Sequence, residues 1–390
     1  MHLRTMKYIK TLTILLSVIF IIAYSLNNQI FKILKYRKPT TQTFRNFPLR
    51  KMAASKKPFY FVEIKTNLKN LDTLKIDYFG EGLIPFSEYF DKGKLLAFIV
   101  IRNDSIIYQK YKDTFREHTV SNTFSIGKTM LSILLGKAID DGFIKDINQK
   151  VIEFIPELKN KPNFNSLTIK NLLEMKSGLQ FTRTGNGVFS DLFSDEAKFY
   201  YSDDLKRDLQ NVKADTTNGT KWHYSNIDVL FLTWVIERAS KKHVSDYFEE
   251  SIWQQIGAQY EGSWGVDKEG GLENSPSSFQ CTAIDLAKIG RLFMMNGKRD
   301  SVAILSTRWI NESLTVSPSN KHNTSKGWQK STHQNYWWIP QDNAKEGDFS
   351  AEGLRGQRLY VNPKTNTIIV QLADDGYGGF PYRKISHYFF

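Results

Sequence analysis

Strand-like sequence is concentrated at the two ends of the chain's body and is sparse between them, and this distribution constrains the fold most. Residues 94–101 (KLLAFIVI) and 105–111 (SIIYQKY) are apolar, β-branched runs around Arg102-Asn103-Asp104, the pattern of two strands joined by a turn. Late strands are expected near 336–339, at 357–361 and, most clearly, at 367–373 (TIIVQLA). The middle reads as helix and loop. It opens with a helix expected over 125–140, which carries Leu131, Leu134, Leu135, Ala138 and Ile139 on an apolar face and stops at Gly142. The fold class expected is α/β (α+β): an antiparallel sheet built from N- and C-terminal strands and flanked by helices, with an inserted helical lobe. A site would then lie in the cleft between sheet and lobe.

The net charge of +13 would suggest a polyanion partner if it were spread over the body. It is not. No Asp or Glu precedes Glu63, while residues 1–60 hold twelve Lys and Arg. Residues 61–390 therefore carry 53 − 12 = 41 basic against 40 acidic side chains, a net of +1. A nucleic-acid groove needs its own cationic surplus, so nucleic acid is not expected as a partner. Within the basic segment, residues 11–26 (TLTILLSVIFIIAYSL) form an uncharged apolar run behind Arg4, Lys7 and Lys10. That is the layout of a signal peptide or membrane-anchor helix, with Ala23-Tyr24-Ser25 as a weak cleavage site. The domain expectation is thus an exported chain, membrane-anchored or periplasmic/extracellular: 1–26 as signal or anchor, 27–60 as a basic linker near lipid headgroups, and 61–390 as the folded body. Lys32, Lys35, Arg37 and Lys38 run against this orientation, because basic residues flanking a span favour the cytoplasmic side.

Three short elements carry chemistry. Ser125-Ile126-Gly127-Lys128 is the chain's one S-x-x-K. Placed at a helix start, it puts residues i and i+3 on one face, so the amine can reach the hydroxyl. The helix N-terminus also offers a free N–H to a developing oxyanion. A serine hydroxyl is a weak nucleophile until a base takes its proton, and a lysine whose charge is disfavoured can do so. The bland alternative is a helix-capping serine beside a solvated lysine. Trp222-His223-Tyr224-Ser225-Asn226 is the second element, at the junction of a loop with the apolar helix IDVLFLTWVIERAS. Tyr224 can share a proton with a nearby lysine and act as base and then acid, and Asn226 offers an amide to the lysine and to a substrate carbonyl. His223 points to the other side, and Tyr360-Val361-Asn362 repeats the pattern without that context. The third element, Ala351-Glu352-Gly353-Leu354-Arg355-Gly356-Gln357, precedes a strand; its glycines allow close backbone approach, and an N–H near Leu354 is a candidate second oxyanion donor. Its bland alternative is a tight turn.

Together, and in this order, the three elements resemble those of the serine β-lactamase and penicillin-binding-protein-like hydrolases, on the branch with class C β-lactamases, esterases, D,D-peptidases and 6-aminohexanoate-dimer hydrolases. GKAIDDGFIKDINQKVIEFIPEL with TIKNLLEMKSGL, NGTKWHYSN and CTAIDLAKIGRLFMMNGK are similar to the family's supporting blocks, so the resemblance spans roughly 95–375. It implies a β-lactamase-like fold and an acyl-enzyme mechanism, with Ser125 as nucleophile, Lys128 as its base partner, and Tyr224 and Asn226 as the second motif. Gly353, Leu354 and Arg355 would line the substrate site. Many relatives carry Lys or His where this chain has Ala351. That departure resembles the 6-aminohexanoate-dimer-hydrolase and esterase side and leaves a substrate carboxylate without its cation, unless Arg355 or Arg358 supplies one.

The expected substrate is therefore a small ester or amide. A D,D-peptidase or β-lactamase, or a penicillin-binding-like sensor that does not turn over, are the alternatives. No cofactor is expected: the seven histidines are scattered without a ligand spacing, and no Walker or dinucleotide loop is present. Cys281, the sole cysteine, reads as a buried thiol. Nothing in the sequence addresses the oligomeric state.

Overall fold

The two distant sets of strands pair with each other. In the computed structural model, Thr367–Ala373 runs antiparallel to Leu95–Arg102, from Thr367 opposite Arg102 to Ala373 opposite Leu95, with a bulge at Leu372/Ala373. An eight-stranded sheet results, in the order 331–334, 337–340, 349–353, 357–362, 367–373, 95–102, 105–111 and 62–63. Its ladders are antiparallel except the last, where Val62–Glu63 lies parallel to the strand beginning at Ser105. The structure describes residues 2–389 apart from 27, 65–69, 79, 183–193, 217, 323, 325–329, 343–344 and 377–380.

The central strands are apolar on both faces because both faces are covered. Ala97, Ile99 and Ile101 point into the main core, whereas Phe98 and Val100 point into a second cluster with Phe86, Tyr89, Phe90, Tyr382 and Ile385. The helix Ile126–Asp140 lies between the sheet and the helical lobe, packing on the helix Asn226–Ser240 and on the strand Phe349–Gly353. It was expected to be amphipathic, but this position buries it on nearly every side. Gly136 permits that packing, since a Cβ there would collide with the Trp309 ring.

A second, four-stranded sheet joins Leu49–Met52, Gly262–Gly265, Phe279–Cys281 and Ser121–Asn122. Its middle strands lie in the region read as helix and loop, where their brevity and glycines hid them. Its first strand corrects the linker expectation for 27–60. Leu49–Met52 pairs residue by residue with Gly262–Gly265, Met52 is fully buried, and Arg50 forms a salt bridge with the buried Glu273. Arg50 therefore contributes a buried ion pair rather than a solvated charge, and its partner lies 223 residues away, beyond the reach of local composition.

The apolar run falls in the helix His2–Leu26, where described side chains including Ile9, Leu12, Leu16 and Ile21 are exposed. Among the described residues no helix is long and apolar enough to cross a membrane. The transmembrane anchor expected from the sequence is not supported. The next helix, Asn28–Tyr36, docks on the body through Lys32 to Asp203 and through Tyr36 stacked on Tyr201.

Candidate active site

The short strand Ser121–Asn122 delivers the chain to the start of the helix Ile126–Asp140, and the backbone turns sharply between them. Phe124 adopts a left-handed conformation, φ +51°, which non-glycine residues avoid unless the surroundings impose it. The surroundings here are specific. The Phe124 N–H donates to Asn122 Oδ1, the Asn122 amide donates to the Ser277 carbonyl, and Thr123 bonds the Phe279 carbonyl through both its N–H and its hydroxyl. Ser125 follows as the N-terminal residue of the helix, half-buried, and its hydroxyl makes no capping bond. The capping alternative is thereby excluded. Its N–H, at the helix start, has no intrahelical acceptor.

Lys128 is almost fully buried, and its Nζ donates to Ser125 Oγ at 2.9 Å and to the Pro276 carbonyl at 2.8 Å. Gly127 makes the second contact possible. A Cβ there would collide with the Ser275 carbonyl, so only glycine lets the 275–278 loop approach closely enough for Pro276 to reach the amine. Tyr224 completes the group: the Lys128 ammonium lies 5.1 Å from the centre of its ring. Ser225 caps the helix Asn226–Ser240 by accepting from the Ile227 N–H, so Tyr224 is the last loop residue before a fixed helix end. Its ring stacks on Trp338 and meets His333 edge-on. Ser125, Lys128 and Tyr224 are thus brought together from sites about a hundred residues apart.

The other sequence candidates separate. Asn226 is buried and its amide donates to Glu196 and to Ser277 Oγ, while the Pro276 carbonyl accepts from Lys128. Lys128 is thus held by a backbone carbonyl that the sequence did not mark. Gly353 ends the strand Phe349–Gly353 directly against the Thr123 carbonyl, where a Cβ would clash, and Leu354 follows with an exposed side chain. Arg355 is tied into the fold: its Nε donates to the Pro39 carbonyl at 2.9 Å and its Nη1 to the Asp374 carbonyl at 2.6 Å. Arg358 pairs with Glu352 and lies over the Tyr382 ring. Ala351 is fully buried in the main core. His223 is exposed, and Cys281 is buried, with its thiol pushed up by desolvation.

Two titratable groups beside the site were not marked by the sequence: Asp228 is a lone acid in an apolar run, and His333 lies in a polar stretch. His333 is buried against Tyr224, Trp222 and Trp338. Desolvation, and then the nearby Lys128 charge, lower it to about 3, so it is neutral at any working pH. Asp228, in the first turn of the helix that follows Tyr224, is fully buried and accepts from Ser177 Oγ at 2.6 Å; burial raises it to about 8.

The Asp228 shift has a consequence for stability. The folded carboxyl holds its proton up to about pH 8, whereas the unfolded one loses it near its usual 3.8, so its contribution weakens as pH rises between those values. Asp228→Asn keeps the shape without the titration. It is expected to raise stability at pH 7 by on the order of 1–3 kcal/mol and to flatten the slope across pH 5–8. Thermal melts of both proteins over that range check this; parallel curves would show that Asp228 is ionised in the fold.

A family model described as Beta-lactamase matches residues 94–387. A 6-aminohexanoate-dimer hydrolase of Paenarthrobacter ureafaciens is 24% identical over 291 residues, covering 71% of this chain and 72% of that protein. Among solved structures, a candidate 6-aminohexanoate-dimer hydrolase of Bacillus anthracis superposes with a TM-score of 0.76 at 23% identity, over 89% of this chain and 92% of its own. A family VIII carboxylesterase superposes with a TM-score of 0.59 at 17% identity, over 77% and 93%.

Proposed function

We propose that this chain, which belongs to the beta-lactamase family, is a serine hydrolase that forms an acyl-enzyme on Ser125 from an ester or small amide. The observation that carries the reading is the buried Lys128 amine 2.9 Å from the Ser125 hydroxyl, held from behind by the Pro276 carbonyl. In this reading Lys128 and Tyr224 take the hydroxyl proton as Oγ attacks the substrate carbonyl carbon. The N–H groups of Ser125 and Leu354 receive the oxyanion. The same proton then goes to the leaving oxygen or nitrogen as the tetrahedral intermediate collapses, and water attacks the acyl-enzyme by the reverse route.

Substrate class follows from charge. A carboxylate beside the scissile bond is gripped best by a fixed cation, in a bond worth about 1.5–3 kcal/mol. Ala351 supplies none, and Arg355 and Arg358 are committed to other partners. The relatives named for 6-aminohexanoate-dimer and carboxylester hydrolysis support the same side of the family. Neutral short-chain esters are therefore expected to exceed β-lactams by about ten- to a hundred-fold in kcat/KM. Side-by-side assays with a chromogenic ester and a chromogenic cephalosporin of similar reactivity test this. A faster cephalosporin would overturn the substrate class and favour the β-lactamase alternative.

A further inference from the structure

Residues 37–48 lie outside the family match, which begins at residue 94, yet they touch the site from two directions. The Thr41 carbonyl accepts from the Asn122 N–H at 3.2 Å, three residues before Ser125. The Thr41 hydroxyl donates to Asp374 Oδ1 at 3.0 Å. Asp374 is in turn bound through its carbonyl by Arg355, whose guanidinium also holds the Pro39 carbonyl, and the Arg355 carbonyl accepts from the Gly376 N–H. Thr41 is buried, as is Phe44 beside it. Arg355 itself sits at φ +63°, a conformation a non-glycine residue keeps only where its bonds over-determine it.

These contacts form one bridge. At one end is the strand that presents Ser125; at the other is the turn that follows Leu354. The two ends meet where Gly353 abuts the Thr123 carbonyl. Two oxyanion donors on different elements act together only if their spacing is held, and a misplacement of about 1 Å can cost on the order of a hundredfold in rate. We propose that Thr41 and Arg355 are positioning residues, and that the N-terminal strap 37–48 fixes the Leu354 turn relative to Ser125 and so sets the acylation rate. The inference rests on Ser125 as nucleophile and the Leu354 N–H as oxyanion donor.

The test uses the full chain with p-nitrophenyl acetate, measuring kcat, KM and the thermal melt. Arg355→Ala is expected to lower kcat by about ten- to a hundred-fold with KM within about twofold. Thr41→Val, which removes only the bond to Asp374, is expected to lower kcat by about two- to tenfold with the melt unchanged. Arg355→Lys should restore part of the loss, because an ammonium satisfies one carbonyl where the guanidinium spans two. Wild-type kcat in either folded variant overturns the brace, as does a loss confined to KM. If Arg355→Ala does not fold, Thr41→Val decides alone by the same criterion. A wild-type chain that neither hydrolyses the ester nor is labelled at Ser125 by a fluorophosphonate overturns the nucleophile reading and the brace with it. Labelling at Ser125 with unaffected variants removes the brace only.

Discussion

Ser125→Ala is expected to lower kcat by roughly four to six orders of magnitude, the scale of losing a covalent nucleophile. Its stability should stay within about 1 kcal/mol of wild type. The two expectations have separate causes. The hydroxyl accepts from Lys128 but caps nothing and is only half-buried. Deleting it leaves the Lys128 amine with its Pro276 acceptor and opens no large cavity. Labelling with a fluorophosphonate, followed by mass spectrometry of the modified peptide, checks the assignment directly. Persistent labelling of Ser125→Ala would move the nucleophile elsewhere.

Lys128→Ala and Tyr224→Phe are each expected to lose about a hundred- to ten-thousand-fold in kcat, the range of a general acid–base contribution. The double variant should lose little more than the worse single one, because groups that pass one proton are not additive. The geometry motivates this: the amine lies between the Ser125 hydroxyl, the Pro276 carbonyl and the Tyr224 ring. The two single variants differ in their side effects. Lys128→Ala empties a buried site and orphans the Pro276 carbonyl, so it should also destabilise by on the order of 1–3 kcal/mol. Tyr224→Phe keeps the ring stacked on Trp338 and should melt close to wild type. Losses that multiply in full would show that one residue acts through packing alone.

How much of this was legible beforehand differs by residue. The S-x-x-K could be placed at a helix start because the periodicity behind it is local, and the structure begins that helix at Ile126. Tyr224 was legible for the same reason, since the apolar run after it fixes where the helix begins. Gly127, by contrast, reads as a neutral filler until the 275–278 loop is seen against it. Pro276 has no sequence signature at all, because any residue could have supplied that carbonyl. The Asn226 amide reads from sequence as a polar group beside Tyr224, but that Glu196 and Ser277, both distant along the chain, accept from it is not legible there.

Sequence by itself determined the strands at 95–102, 105–111 and 367–373, the helices after Ser125 and Tyr224, the order of the three motifs, and the confinement of the basic excess to residues 1–60. Each of these follows from composition or from the pattern within one segment, where the physics is local burial and backbone propensity. Tertiary structure alone decided that Leu49–Met52 pairs with the body, that Arg50 is neutralised by Glu273, and that Arg355 holds the Pro39 and Asp374 carbonyls. Arg50 and Glu273 are 223 residues apart, and Arg355 and Pro39 are 316 apart. A charged side chain carries no mark of whether its partner is water, a buried carboxylate or a carbonyl; only the packed neighbours settle that, because they alone set what desolvation costs and which bond offsets it.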